Sequence, residues 1–205
     1  MVNFENHVEK TYRLADCCDI ISGYSYTGGE LQDSDTGMVS IKSFKRTGGF
    51  KLDGVKSLLP SKSIVSKKCD IDDVLVAHTD LTKNQEIIGS PVLITTKGDF
   101  KQLTFSMDLV KVEPKADWLS TALLYRILKS PSFKKHALGF RTGTTVVHLS
   151  KKALETYSFA GPSSIDNGLS TRLAIIQNTI TSKTKKIEEL RAAKETLLNK
   201  YFPSN

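Results

Sequence analysis

The segment after Pro162 constrains the fold of this 205-residue chain more than any other part of it. Apolar residues recur there at alternating steps of four and three positions, the heptad pattern of a coiled-coil helix. The pattern comprises Leu169, Leu173, Ile176, Ile180, Ile187, Leu190, Leu197 and Tyr201, with lysine at positions 183 and 194. No glycine or proline interrupts it before Phe202. We therefore predict one continuous helix, roughly 55–60 Å long at about 1.5 Å per residue.

A helix of this length carries an apolar stripe that the preceding residues are too few to cover. The stripe therefore requires a second helix of similar length, and a coiled coil is the expected arrangement. Lys183 and Lys194, the two polar breaks, would then help to fix register and orientation. The alternative is an amphipathic helix folded back on its own domain.

Before Pro162 the sequence contains short segments typical of strands. Residues 38–44, 73–78 and 91–96 are β-branched runs bounded by Gly, Asp, Asn or Ser, which predicts three strands. A fourth strand is predicted over residues 103–112, where apolar side chains occupy alternate positions. These are Leu103, Phe105, Met107 and Leu109.

Residues 116–130 have the pattern of a helix that stops before Pro131. Its predicted buried face consists of Leu119, Ala122, Leu123 and Ile127. Strands with interspersed helices, without regular alternation of the two, favour an α+β fold. We therefore expect a globular α+β domain over residues 1–162 and the long coiled-coil helix over residues 163–205.

The overall charge favours a polyanionic partner. The net charge is +7 and the pI is about 9.2, and nucleic acid is the commonest intracellular polyanion. The first ten residues lack a secretory signal pattern, and no apolar run reaches the ~20 residues of a membrane span. The spacing of Cys17, Cys18 and Cys69 is typical neither of a metal site nor of a disulfide framework. We therefore expect a cytoplasmic protein without metal, although an inert basic surface is the alternative to nucleic-acid binding.

Motifs for catalysis are missing from the sequence. It contains no Walker A motif, no dinucleotide-binding glycine pattern, no nucleophile elbow and no zinc-protease motif. Asp70, Asp72 and Asp73 could indicate a metal-dependent nuclease, but aspartates are also common in a turn that enters a strand. His148 lies in an apolar run, which favours a structural histidine. We predict a binding module rather than an enzyme.

Three loops carry side chains suited to DNA. Arginine pairs with guanine edges and asparagine or glutamine with adenine, while lysine and threonine commonly hold phosphates. The candidates are Lys42, Lys45, Arg46 and Lys51 in the first loop, Lys83, Asn84 and Gln85 in the second, and Arg141, Thr142 and Thr144 in the third. The third loop, "GFRTGTTVVHLS" (139–150), is equally compatible with a tight turn that leads into a strand.

Taken in order, these segments resemble the specificity (S) subunit of Type I restriction–modification systems. Its target-recognition domain is similar to "LADCCDIISGYSY" (14–26) and "DIDDVLVAHTDLTKNQEIIGSPVLI" (70–94). The helix and loop that follow are similar to "LLYRILKSPSFKKHALGFRTGTTVVHLSKKALETYSFAGPS" (123–164), and the conserved helix to "RLAIIQNTITSKTKKIEELRAAKETLLNKYF" (172–202). The proline-rich lead into that helix is degraded here, with Gln177 as its remnant.

The resemblance implies a function and a set of partners. S subunits read DNA without catalysis and scaffold modification subunits, which methylate adenine with S-adenosylmethionine, while restriction subunits use ATP and Mg²⁺ to translocate and cleave. Family members usually carry two recognition domains and two helices packed as an antiparallel coiled coil, so this chain resembles half of one. We therefore expect a homodimer that reads a bipartite target. The alternatives are a small nuclease or methyltransferase, or a structural coiled-coil adaptor.

Overall fold

The computed structural model describes residues 9–45, 48–80, 86–143, 146–162 and 167–201. In chain order the strands are β1 (Glu9–Arg13), β2 (Cys18–Ser22), β3 (Thr36–Val39), β4 (Lys56–Ser57), β5 (Lys68–Cys69), β6 (Val74–Ala77), β7 (Thr79–Asp80), β8 (Pro91–Leu93), β9 (Gln102–Phe105), β10 (Leu109–Pro114), β11 (Arg141–Thr142), β12 (Val147–Leu149) and β13 (Ser158–Pro162). The helices are α1 (Leu14–Cys17), α2 (Thr121–Leu128), α3 (Pro131–Leu138), α4 (Lys151–Glu155) and α5 (Asn167–Tyr201). The mixed α+β class predicted from the sequence is confirmed.

A four-stranded antiparallel sheet in the order β2-β10-β6-β8 lies between two hydrophobic cores. Successive side chains of a strand point to opposite faces of its sheet. Accordingly, Val74 and Val76 of β6 enter the core formed with the helices, whereas Leu75 and Ala77 enter the core on the other face. Burial on both faces explains why this strand reads as the unbroken apolar run VLVA.

A second sheet, in the order β4-β3-β9-β5, closes the core on the face away from the helices. Leu103 and Phe105 of β9 are almost fully buried in that core, and β9 pairs in parallel with β3. Met38 lies on the opposite face of β3, in a smaller cluster with Tyr24 and Leu58. The part of the molecule before α5, called the head below, therefore consists of a helical layer and two successive sheets.

The carboxylate of Glu30 organises the loops around this smaller cluster. It accepts hydrogen bonds from Tyr24 Oη, from the backbone and hydroxyl of Thr27 and from the backbone and hydroxyl of Ser61. The Ser61 N–H, together with the other donors, holds the pKa of Glu30 well below its usual range. Because these bonds favour the ionised carboxylate, they stabilise the folded chain at neutral pH and are lost as strong acid protonates it.

Strand β1 pairs with β13, which brings the start of the described chain next to the segment that leads into α5. The rings of Tyr12 and Trp118 lie 4.5 Å apart above this pair, with Phe159 beside them. A Cβ atom on Gly161 would lie 2.9 Å from the ring of Tyr12, so only glycine allows this close approach. The pair and its aromatic cluster close the head before the long helix begins.

The prediction of one strand over residues 103–112 is wrong. The chain turns at residues 106–108, where Leu109 N donates to Ser106 O, and Met107 is 55% exposed. Two strands, β9 and β10, therefore replace one, and they belong to different sheets. The apolar residues stand on alternate positions on both sides of the turn and also within it, at Met107, so the sequence pattern did not reveal the turn.

The predicted strand over residues 38–44 is correct only as far as Val39. Ser40 then begins a 3-10 turn over Ile41–Ser43. The predicted strand at residues 73–78 is confirmed as β6. The strand predicted over residues 91–96 is correct only as far as Leu93, where β8 ends.

Helix α2 is shorter than the sequence predicted, and its predicted buried face is only partly correct. Ala122 and Leu119, which precedes the helix, are buried as predicted. The helix begins after Ser120, whose hydroxyl accepts a hydrogen bond from Leu123 N, and its buried side chains are Ala122, Leu124, Tyr125 and Leu128. Leu123 and Ile127, predicted as core, are half-buried. The helix packs against the central sheet and also lies beside α5, so it has two contact faces rather than one.

Helix α5 confirms the predicted long helix. Its 35 residues correspond to roughly 52 Å at about 1.5 Å per residue. The described side chains from Ile175 to Tyr201 are exposed, apart from the half-buried Thr181. They include the predicted seam residues Ile176, Ile180, Ile187, Leu190, Leu197 and Tyr201, whereas the side chains of Leu169 and Leu173 lie outside the described part.

The described side chains of this stretch of α5 therefore do not pack against the head, although α5 also contacts α2. Pairing with a second helix stays a prediction. The predicted N-caps at Ser163 and Ser164 lie outside the described residues. Within the described ranges, each helix is too short or too polar to span a lipid bilayer.

Candidate nucleic-acid interface

Two of the three loops predicted to bind DNA leave the same end of a small sheet. In this sheet β12 lies between β11 and β7 and is antiparallel to both. Thr142 and Thr79 both lie opposite His148, and Asp80 lies opposite Val147. Strands β7 and β11 therefore run in the same direction, and the segments that follow Asp80 and Thr142 begin at the same end of the sheet, on either side of β12.

Four of the predicted contact residues in these segments lie outside the described residues. They are Lys83, Asn84, Gln85 and Thr144. Arg141 and Thr142 are exposed on β11. Gly143 follows them with φ = +91°, and a Cβ atom there would lie 2.2 Å from Val146 O, so the turn requires glycine.

The first loop is held as a tight hairpin with Lys45 near its tip. Phe44 and Phe50 pair across it and are buried, while Lys45 N donates to Gly49 O and Lys51 N to Ser43 O. Lys42 and Lys45 are exposed, Lys51 is half-buried, and Arg46 lies outside the described residues. The two buried rings thus fix the base of a loop whose lysines reach water.

A cleft of about 740 Å³ lies between the first loop and Ile87. Ile87, which follows the second loop, forms part of its wall. The other lining residues are Ile41, Lys42, Phe44, Lys45, Lys51, Asp53, Gly54 and Lys56. Four lysines face one carboxylate, and the Lys51 Nζ–Asp53 Oδ1 distance is a long 3.9 Å. The cleft is therefore a positively charged surface with an apolar wall, suited to a phosphate backbone.

The wall of this cleft is anchored by a buried carboxylate. Asp80 is fully buried, and its Oδ2 accepts hydrogen bonds from Ile87 N at 2.7 Å and Ile88 N at 2.8 Å. Lys134 Nζ donates to the backbone oxygens of Glu86 and Ile88. Burial lowers the pKa of Lys134, opposed by the charge of Asp80. Both ends of residues 81–85 are thus fixed by side chains of the core.

Two histidines lie in or next to this sheet, and the exposure of one of them was not predicted. His148 was predicted to be structural, yet it is exposed between the buried Val147 and Leu149, and its Nδ1 lies 3.4 Å from Thr79 Oγ1. His78 is half-buried, and burial, followed by the charges of His148 and Lys151, lowers its pKa. The signal was present in the sequence, because a polar residue between two apolar ones on a strand points away from the core.

A second cleft, of about 390 Å³, is lined by Lys68, Lys97, Lys101 and Lys111, and the last three pair with carboxylates. Lys97 Nζ lies 2.8 Å from Asp70, Lys101 Nζ 2.9 Å from Asp35, and Lys111 Nζ 3.4 Å from Asp73. Because carboxylates compensate these ammonium groups, this cleft offers less positive charge to a phosphate than the cleft at the first loop.

Three solved structures superpose on the whole chain. A chain from a structural study of the complex assembly and conformational transition of the type I R-M system matches with a TM-score of 0.55 at 18% identity, covering 96% of this chain and 45% of that one. The Type I restriction–modification S subunit from M. genitalium gives 0.60 at 14% identity, covering 96% and 44%. The HsdS subunit from Thermoanaerobacter tengcongensis gives 0.52 at 17% identity, covering 99% and 47%.

The chain has the S-subunit fold. It spans less than half the length of each of these solved chains. No protein-family model and no curated protein matches its sequence.

Within this S-subunit fold, the aspartate cluster at residues 70–73 forms a turn before β6. Asp73 Oδ2 accepts a hydrogen bond from Asp70 N, Asp70 pairs with Lys97, and Asp72 adopts a left-handed conformation with φ = +71°. Among the described residues no group of three or more His, Cys, Asp or Glu side chains could hold a metal ion. The structure therefore favours the turn over the nuclease site that the sequence left open.

The three cysteines, Cys17, Cys18 and Cys69, are buried and form no disulfide with one another. Burial raises the pKa of Cys18 and of Cys69 to about 12. Because the thiolate is the nucleophile and the metal ligand, these two thiols are poorly suited to either role at neutral pH.

Proposed function

We propose that this chain is a DNA-recognition subunit of a Type I restriction–modification system and has no catalytic role of its own. The observation that carries the proposal is the convergence of the predicted loops on one face of an S-subunit fold. The second and third loops leave the same end of one sheet, and Ile87 joins the second loop to the lysine cleft of the first. A surface with clustered lysines, an exposed arginine and nearby polar side chains can hold phosphates and read base edges.

The proposed division of labour follows the change in structure near Pro162. Residues 1–162 would form the target-recognition domain, which the β1–β13 pair closes. Residues 163–205 would supply the spacer and the interface with partners. The exposed apolar stripe of α5 supports this second role, since an apolar stripe in water is stabilised by a facing helix.

A coiled coil through α5 would set the distance between two recognition domains. The simplest source of the facing helix is a second copy, which gives an antiparallel homodimer about a two-fold axis and a bipartite target. Roughly 52 Å of helix exceeds one turn of DNA, about 34–36 Å, so the two domains can reach successive grooves.

The remaining activities of such a system would belong to other subunits. The type I R-M system that contains one solved relative has been described in terms of complex assembly. We propose that this chain binds a modification subunit, which uses S-adenosylmethionine, and through it a restriction subunit, which uses ATP and Mg²⁺. The chain itself binds double-stranded DNA and no cofactor.

Arg141→Ala tests the proposed interface. Arg141 is exposed on β11, the strand that leads into the third loop, so its loss should weaken binding of duplex DNA. A lost base contact reduces discrimination at one position by about 1–3 kcal/mol, whereas a lost phosphate contact lowers the salt slope by about 0.9. Fluorescence anisotropy at several salt concentrations separates the two cases.

The matched control for this measurement is Arg126→Ala. Arg126 is exposed on α2, and its replacement by alanine removes the same charge as Arg141→Ala. Its affinity and salt slope should stay close to those of the natural chain. If Arg141→Ala behaves like this control, Arg141 does not contact DNA.

A further inference from the structure

The outer face of the small sheet formed by β7, β12 and β11 carries a row of polar side chains. Residues directly opposite on paired antiparallel strands place their side chains on the same face, so Thr142, His148 and Thr79 form one row across the sheet. Val147 and Leu149, which flank His148 on β12, are buried in the core, so this row lies on the face away from the core. Thr142 and His148 are exposed.

The row lies at the end of the sheet from which the second and third loops leave. Thr142 is the last residue of β11, and Thr79 precedes Asp80, the last residue of β7. His148 is on the central strand, so one of these segments leaves the sheet on each side of it. A ligand that contacts both loops would therefore cross the imidazole of His148.

His148 lacks the contacts that a structural histidine makes elsewhere in this chain. His136 is half-buried against the rings of Phe140 and Tyr157, with centroid distances of 4.8 and 5.2 Å, and its Nε2 lies 3.0 Å from a backbone oxygen. Among the described residues, the imidazole of His148 makes no ring contact of this kind. It therefore contributes little packing to the head and is open to a ligand.

The contact with Thr79 leaves one ring nitrogen of His148 for that ligand. Thr79 Oγ1 lies 3.4 Å from Nδ1, and Thr79 is only 5% exposed, so little water competes for its hydroxyl. When the hydroxyl donates to Nδ1, the neutral imidazole carries its proton on Nε2. Nε2 is then a donor that matches the acceptors of DNA, such as guanine N7 and O6 or a phosphate oxygen.

The surroundings of His148 attract a polyanion. Burial, followed by the charges of His148 and Lys151, lowers the pKa of His78, so these three basic side chains are electrostatic neighbours. The carboxylate of Asp108 opposes these charges at His78. The donor at Nε2 therefore lies in a basic environment between two candidate DNA-binding loops.

We infer that His148 contacts duplex DNA through Nε2 and that Thr79 is the positioning residue that holds its ring. The ligand is a hydrogen-bond acceptor of the duplex, either a purine edge or a phosphate oxygen. The inference rests on the proposed function and adds to it a contact on the strand between the second and third loops.

Substitutions that replace one ring nitrogen at a time test this assignment. The amide nitrogen of His148→Gln reaches the place of Nε2, whereas that of His148→Asn reaches only the place of Nδ1. The probes are the duplex that the natural full-length chain enriches from a random library and a scrambled duplex of the same composition, at about 0.1 M salt. We expect His148→Ala and His148→Asn to bind the enriched duplex about five- to tenfold more weakly, and His148→Gln to bind it nearly as well as the natural chain.

The two duplexes separate the two kinds of acceptor. A contact with a purine edge weakens binding of the enriched duplex alone, because the scrambled duplex lacks that base at the same place. A contact with a phosphate weakens binding of both duplexes by the same factor.

Two variants at position 79 test the positioning role. Thr79→Val keeps the shape of the side chain and removes its hydroxyl, so it should bind the enriched duplex about threefold more weakly. Thr79→Ser keeps the hydroxyl and should restore the binding. Equal affinities for Thr79→Val and Thr79→Ser would overturn the role of Thr79.

The control for a structural histidine is His136→Ala. Loss of its ring contacts should lower the midpoint of denaturant unfolding and leave DNA affinity unchanged at a temperature where the variant is folded. The His148 variants should show the reverse, with an unchanged midpoint and weaker binding.

Three outcomes would overturn the contact by His148. They are binding of His148→Ala as tight as that of the natural chain, retention of binding by His148→Asn with loss by His148→Gln, and a fall in affinity only in variants whose midpoint also falls. Failure of the proposed function gives a different result, because the natural chain itself would then enrich no duplex and bind none.

Discussion

Replacing Asp80 with alanine lowers the free energy of unfolding by about 2–6 kcal/mol, because each of two buried N–H groups left without an acceptor costs about 1–3 kcal/mol. Among the described residues these donors are the backbone N–H groups of Ile87 and Ile88, and Asp80 is fully buried. The loss is a large share of the 5–15 kcal/mol that stabilises a typical domain. Denaturant unfolding followed by circular dichroism measures it.

The same variant should bind DNA about tenfold more weakly at a temperature where it remains folded, a change of about 1.4 kcal/mol. Ile87 forms a wall of the cleft that Lys42 and Lys45 line, so freeing Ile87 alters the geometry of the cleft. The milder variant Asp80→Asn keeps one acceptor oxygen and should lose less in both measurements.

Asp73→Ala is the matched control for Asp80. The Asp73 carboxylate also accepts a backbone N–H, that of Asp70, but it lies next to the second cleft, where three of the four lysines are paired. It should reduce stability and leave DNA affinity unchanged. A loss of stability without a loss of affinity at Asp80 as well would mean that Asp80 supports the fold and not the interface.

The triple variant Lys42→Ala, Lys45→Ala, Lys51→Ala should produce the largest change in DNA binding. Each phosphate contact adds about 0.9 to the dependence of log K on log salt, so three contacts account for a slope change of about 2.7. At about 0.1 M salt the same counterion release corresponds to a several-hundredfold loss of affinity. Lys51 contributes least if its long ion pair with Asp53 persists on DNA.

A charge-matched variant separates local contact from net charge in this experiment. Lys68→Ala, Lys97→Ala, Lys101→Ala removes the same three charges at the second cleft, where Lys97 and Lys101 already pair with carboxylates. Its salt slope should change by less than about 1. Equal slopes for the two triple variants would show that the first cleft makes no specific phosphate contacts.

The sequence predicted those parts of the fold that depend on local periodicity. The heptads of residues 169–201 predicted α5, and the apolar run at residues 73–78 predicted β6. The turn at Met107 was missed because apolar alternation persists through it. The buried face of α2 was predicted only in part, because the helix contacts both the central sheet and α5.

The convergence of the loops could not be predicted, because it depends on pairing between distant segments. His148 lies opposite Thr79 although 69 positions separate them, and that pairing brings the second and third loops together. The role of Asp80 was equally hidden, since its partners are backbone groups rather than a motif. Composition and loop chemistry predicted which loops to consider, and topology brings the described ends of the second and third loops to one end of a sheet.

The central proposal is that this chain reads duplex DNA in a sequence-selective way. The most direct measurement is a selection of bound molecules from a random duplex library with the purified full-length chain at about 0.1 M salt, in the presence of competitor DNA. We expect the natural chain to enrich one short sequence motif, and the Arg141→Ala variant to enrich it less. Binding that retains no motif over successive rounds would contradict this proposal and leave only a basic surface that attracts nucleic acid.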